Sequence, residues 1–245
     1  MISITLPSVH PEALVRTLAN LRACTNGSYE VIVVSPFEPP GGDNIIWIPE
    51  DKPKGPNVAH GYAAVLARGD YVLGWVDDHL LTPDWDKWTI RVFEGVETVG
   101  TPALLGLRHV LEDHVGTVFG HYYAYFPFVR RETVDRVGWL GVGEYQRGFA
   151  DCDLGMRVWS AQGYCTWGSR CVLRCADDAK VLHDDEAGYE PEDLQKFLRR
   201  WRFRFGKGWP ANVVRDFNID VVPEQMMYRL KLGTLKFDTP AEMWG

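Results

Sequence analysis

Three consecutive residues, Asp77, Asp78 and His79, carry the densest chemistry in the chain. They follow an apolar run, Tyr71 to Val76, that reads as a buried strand. Charge at the end of such a strand must meet water, a counter-charge or a ligand, because burying it unpaired is costly. Two carboxylates and an imidazole suit a divalent cation such as magnesium or manganese. A cation there bridges to a diphosphate and offsets the charge that grows on it as it departs. The same residues equally make a solvated turn, with Asp78 or His79 capping the helix that follows.

A second acidic pair, Asp151 and Asp153, opens a helix that reads from 151 to 162 and stops at Gly163. Acids in a first turn are favoured by the exposed amides and the helix dipole. Asp153 stands four residues before Arg157 and pairs with it along the helix face. Asp151 sits at the loop-to-helix junction, where a carboxylate facing a cleft can take a proton from an acceptor hydroxyl. Lys52-Pro-Lys54-Gly-Pro-Asn57 precedes another helix and offers amides and a lysine to a phosphate, or is a solvated loop. Arg199 to Arg204 is basic and aromatic. It suits a diphosphate contact, a lid or a polyanionic acceptor such as DNA, while the same spacing buries Trp201 and Phe205 behind a charged face. Tyr122, Tyr123, Tyr125 and Phe126 divide between an acceptor cleft and the core. Cys171 and Cys175 with His183 resemble part of a zinc site, but the spacing is poor and a fourth ligand is not evident.

The elements that position these residues are legible from patterning. Ile2–Leu6, Tyr29–Val34, Ile45–Ile48 and Tyr71–Val76 read as strands, and 11–24 and 57–68 as helices. Their alternation predicts an open, mostly parallel α/β sheet with helices on both faces. Ligands of such sheets bind outside the carboxyl ends of the strands, which is where Asp77 falls. Beyond it come a helix at 83–96, a strand at 103–110, a short helix at 130–137, a glycine-rich loop at 138–149 and a charged helix after Glu192.

A chain of 245 residues fits one large domain, or one with a small appendage. Its 46% hydrophobic and 24% charged residues are those of an ordinary globular protein. The net charge of −7 argues against a broad nucleic-acid footprint, though not against a local basic groove. Five cysteines, an odd number, read as reduced thiols. The first residues lack the pattern of a signal peptide, and no apolar run is long enough to cross a bilayer, so a cytoplasmic protein is expected.

Several segments together resemble glycosyltransferase family 2 and its GT-A relatives. They are Ile2 to Ser8, Glu30 to Val34, Gly55 to Asp70, Asp77 to Trp85, and Asp151 to Arg157 ending in Gly163-Tyr164. Their order and spacing match over about residues 1–185. The resemblance implies a GT-A fold over 1–190, with 191–245 as an extension that packs on or closes the active site. It implies metal-dependent transfer of a sugar from a nucleoside-diphosphate sugar to an acceptor hydroxyl. Manganese or magnesium would lie at Asp77, Asp78 and His79, completed by His183. Pro7, Ser35, Lys54, Asn57, Asp77 and Arg204 would contact the donor. The family's later motif typically reads Glu-Asp-x-Asp; here Ala150 takes the first position, so Asp151 inherits the base role and Asp153 the helix-opening role. Its first motif is Asp-x-Asp, which falls here on Val76 and Asp78 or, one residue on, on Asp77 and His79. The second register resembles the Asp-x-His form of the polypeptide N-acetylgalactosaminyltransferases. Ser35-Pro36 replaces an Asp pair that contacts the base, which leaves the base open. A nucleotidyltransferase and a non-catalytic GT-A binding domain are the alternatives, and the acceptor is open among a glycan, a small molecule and a modified nucleic-acid base.

Overall fold

The computed structural model describes residues 1–109, 115–176, 191–205 and 218–219. Its strands are β1 Ile2–Pro7, β2 Tyr29–Ser35, β3 Ile45–Pro49, β4 Tyr71–Gly74, β5 His79–Leu81, β6 Ala103–His109, β7 Val115–Val118, β8 His121–Tyr122, β9 Pro127–Arg130, β10 Tyr164–Cys175 and β11 Asn218–Ile219. Its helices are α1 Pro11–Cys24, α2 Pro56–Leu66, α3 Trp85–Glu97, α4 Arg131–Val137, α5 Ala150–Ser160 and α6 Pro191–Phe205, with a 3-10 turn at Leu140–Gly143.

Eight strands form the central sheet in the order β3-β2-β1-β4-β9-β6-β10-β5. β3, β2, β1 and β4 are mutually parallel. β9 runs against both β4 and β6, β10 runs with β6, and β5 runs against β10. The sheet is therefore mostly parallel, as expected. A smaller sheet joins β11, β7 and β8.

β2 is buried along both faces, which is why its sequence is a continuous apolar run. Val31 and Val33 enter one core with Leu14, Leu18 and Leu21 of α1 and Phe93 of α3. Ile32 and Val34 enter the other with Ala59 and Ala63 of α2, Leu154 and Val158 of α5, and Phe197 and Trp201 of α6. β1 is different, because its residues under α2 are polar. The Ser3 hydroxyl bonds Glu30 at 2.6 Å, and that of Thr5 pairs with His60 at 2.8 Å. Burial alone takes the His60 imidazole down to about 3. This polar seam fixes the register of β1, β2 and α2.

Several strands depart from the sequence reading, among them β5 and β10. β10 follows the stop at Gly163, and β5 is only three residues long and pairs with β10. β4 ends at Gly74 rather than Val76, although the Trp75 amide still donates to the Thr5 carbonyl at 3.0 Å. α2 begins at Pro56, directly after Gly55, whose φ of 108° is a left-handed value. A Cβ at Gly55 would also strike the Gln146 carbonyl, so only glycine lets the start of α2 meet the loop before α5.

Candidate active site

The parallel strands β1, β2, β3 and β4 bring their carboxyl ends to one edge, with the start of α2 beside them. At that edge the end of β1 and the start of α1 grip Asp77. The Ser8 hydroxyl donates to Asp77 Oδ2 at 2.5 Å. Thr17 and Arg16 donate to the Asp77 carbonyl at 3.0 and 3.1 Å. Burial holds the Asp77 carboxyl above its ordinary value and Asp78 adds to this, while Ser8 and His10 oppose it.

Asp78 and His79 belong to the opposite flank. Asp78 Oδ1 lies 2.6 Å from His79 Nδ1. The imidazole lies tilted against Phe126, with ring centroids 4.8 Å apart, and edge-on to His109 at 5.9 Å. Cys175 Sγ sits 3.6 Å from His79 Nε2 and 3.3 Å from His109 Nε2. The three-residue motif is thus divided between β1–α1 and the β5–β10–β6 corner.

The second motif divides as well. Asp153 is fully buried and accepts from Tyr145 at 3.1 Å, Arg157 at 2.7 Å and Trp201 at 2.7 Å, with Arg200 at 3.2 Å. It joins α5 to α6 and to the preceding loop, which leaves it no room for proton transfer. Asp151, on the other side of the turn, is half-buried and accepts the Cys152 amide at 2.8 Å. Desolvation raises its carboxyl to about 6 even though that amide and the helix start oppose the shift. A carboxylate raised toward neutrality is suited to general-base work.

The loop that delivers Asp151 is held from α6. Asp193 is fully buried and accepts the amides of Gln146, Arg147 and Gly148, all between 3.0 and 3.2 Å. The segment 123–126 runs from the surroundings of Asp151 to those of His79. Tyr123 is raised well above its ordinary value by burial first, with Cys152 and Asp151 adding to it, and Phe126 touches His79. Three residues of extended chain span at most about 11 Å. Tyr122 and Tyr123 lie in the core, whereas Tyr125 and Phe126 are half-buried, and the Tyr123 and Tyr125 hydroxyls bond at 2.9 Å.

The remaining expected residues are dispersed. Pro7 ends β1 at the carboxyl edge. Ser35 is fully buried and its hydroxyl is turned to the Phe37 carbonyl at 2.5 Å. Lys54 is exposed and donates to Tyr62 at 3.0 Å. Asn57 is buried in the first turn of α2, and its Nδ2 has no protein partner there. Arg204 is expected at the diphosphate, but it donates to the Ser160 carbonyl at the far end of α5. Nine residues of helix, about 13 Å, separate that carbonyl from Asp151. The physical reason is that α6 packs Trp201 and Phe205 inward along α5, which carries Arg204 past the end of that helix. His183 lies outside the described residues.

Ser8, Arg16, His109 and Asp193 are absent from the sequence-based site, and Cys175 enters it only through the poorly spaced pattern with Cys171 and His183. Their roles arise from contacts 45 to 96 residues apart, which no local spacing encodes.

No protein-family model and no curated protein sequence matches the chain. Among solved structures, S. aureus TarS 1-349 is similar with a TM-score of 0.54 at 12% identity, over 94% of this chain and 78% of that one. The same protein in complex with UDP-GlcNAc aligns with a TM-score of 0.52 at 12% identity, over 95% and 87%. GalNAc-T7 with UDP, GalNAc and Mn2+ aligns with a TM-score of 0.61 at 12% identity, over 84% of this chain and 49% of that one. The fold shared with them is the GT-A fold. Among the described residues no helix is long and apolar enough to cross a membrane.

Proposed function

We propose that the protein is a glycosyltransferase that moves a sugar from a nucleoside-diphosphate donor to an acceptor hydroxyl. The observation that carries this reading is a strand-end acidic motif and a half-buried, raised carboxylate at the two ends of the segment 123–126, within a GT-A fold. The neighbours solved with UDP-GlcNAc and with UDP favour a uridine nucleotide as donor.

Asp77, Asp78 and His79 are the residues that would hold a divalent cation, with His183 as a further ligand outside the described residues. Their donor types suit such an ion: Asp78 and His79 stand 2.6 Å apart at a partly desolvated strand end, and Asp77 would have to turn from Ser8 to join them. When bound, manganese or magnesium would offset the charge gathering on the departing diphosphate. Pro7, Asn57 and Lys54 border the same edge and are the proposed donor contacts that remain in reach of it. In the inverting course, Asp151 takes the acceptor proton while the acceptor oxygen bonds to the anomeric carbon. The bond from that carbon to the diphosphate oxygen breaks with its electron pair leaving on the phosphate. Asp153 and Asp193 position Asp151 and do not touch the reacting atoms. The extension from 191 completes the loop that presents the base.

Calorimetric titration with UDP, GDP, CDP and dTDP, each with and without manganese, tests this. One tight, metal-dependent nucleotide diphosphate supports the transferase and names the donor class. No binding to a folded sample sinks it in favour of a non-catalytic domain. Release of pyrophosphate from a nucleoside triphosphate and a sugar phosphate would make it a nucleotidyltransferase.

A further inference from the structure

We propose that His79, His109 and Cys175 form a site for a thiophilic divalent ion, zinc in the first instance, where β5 begins and β6 and β10 end. This goes beyond the glycosyltransferase reading and needs no nucleotide, although His79 belongs to both sets of residues.

One ligand atom from each of these three side chains lies within 4.8 Å of the others. Four-coordinate zinc, with bonds of about 2.3 Å to sulfur and 2.0–2.1 Å to nitrogen, sets neighbouring sulfur and nitrogen ligands about 3.5 Å apart. The two sulfur–nitrogen separations here are 3.6 and 3.3 Å. An ion could therefore enter with small side-chain adjustments. The backbone builds the arrangement, since Cys175 and His79 are direct partners across β10 and β5, and His109 ends β6 opposite Leu173 of β10.

Both rings are held in the ligating form. Asp78, 2.6 Å from His79 Nδ1, favours the proton on that nitrogen and leaves the Nε2 lone pair on the side of Cys175. A carboxylate behind a ligating histidine is the usual outer support of a zinc site. The Cys175 amide donates to His109 Nε2 at 2.9 Å, so that nitrogen is unprotonated, and a bound ion would take over its lone pair. Nitrogen and sulfur ligands select zinc or cobalt over magnesium. Three protein ligands leave a fourth position for water or an oxygen of a bound molecule.

The test uses the full chain, stripped with a chelator and titrated with cobalt(II) in the absence of nucleotide. The expected result is a thiolate-to-cobalt charge-transfer band in the near ultraviolet, with the intense visible bands of four-coordinate cobalt. These saturate at one ion per chain and are displaced by zinc. Cys175→Ser should abolish the charge-transfer band, and Cys24→Ser should keep it. Asp78→Asn should weaken cobalt binding about 10–100-fold, the usual cost of removing such support. Circular dichroism establishes that each variant is folded, and zinc should raise the melting temperature of the wild type but not of Cys175→Ser. A folded wild type without the band, or an unchanged band in Cys175→Ser, overturns the site. UDP is titrated in parallel: loss of the cobalt signal with UDP binding intact removes only this site, and the converse removes only the transferase.

Discussion

The two sides of the first turn of α5 are opposite environments for the same functional group. Asp153 is enclosed by Tyr145, Arg157, Arg200 and Trp201, so its charge is fully answered. Asp151, two residues earlier, has the Cys152 amide and is desolvated without a cationic partner of comparable strength, which raises its carboxyl to about 6. One carboxylate holds helices together, and the other is left desolvated with its carboxyl raised. Their difference shows that a pair of acids read from sequence is not a pair of equivalent acids.

The strongest way to break this comparison is Asp151→Asn. Transfer should fall about 10²–10⁴-fold, the range of a general base, while UDP affinity stays within about twofold. A comparable loss of UDP binding would count against the base role. Next comes Asp153→Ala, which strands Arg157 in the interior. Unfolding in urea should show about 3–5 kcal/mol lost, and a loss below 1 kcal/mol would refute its role as the link between α5 and α6. Asp193→Ala leaves three amides without their acceptor and should cost about 2–3 kcal/mol, with a smaller drop in transfer than Asp151→Asn. The last effect sharpens the comparison through pH. Because the folded Asp151 carboxyl sits above its unfolded value of 3.8, its contribution to stability is complete below that value and is lost as pH rises through about 6. Asp151→Asn should therefore be more stable than wild type at neutral pH, by up to the roughly 3 kcal/mol that such a shift represents. In the wild type, kcat/KM should rise with pH through about 6 as the base ionises.

The amino-terminal half of the sheet was legible because each element carries its own signal. β2 is an unbroken apolar run, and α1 has Pro11 at its first turn with leucines at helical spacing. β5 has no such signal, since three residues form a strand only by pairing with β10, over 80 residues later in the chain. The acidic motifs were legible as residue types, and the Asp153–Arg157 pair was legible from its spacing of four. Which way each acid faces was not. Ser8 on Asp77 and Trp201 on Asp153 are contacts between distant parts of the chain. Arg204 is the converse case: the apolar side of its own helix sets this basic residue against the Ser160 carbonyl, which its spacing alone does not tell.

The grip of Asp193 on the 146–148 loop has a consequence for the order of synthesis. A nascent chain that has emerged only through β10 already contains both acidic motifs and the whole central sheet. It still lacks the acceptor for three loop amides and the indole that completes Asp153. The ribosome therefore releases Asp151 before Asp193 and Trp201, and the 146–148 loop and Asp153 gain these partners only when α6 docks.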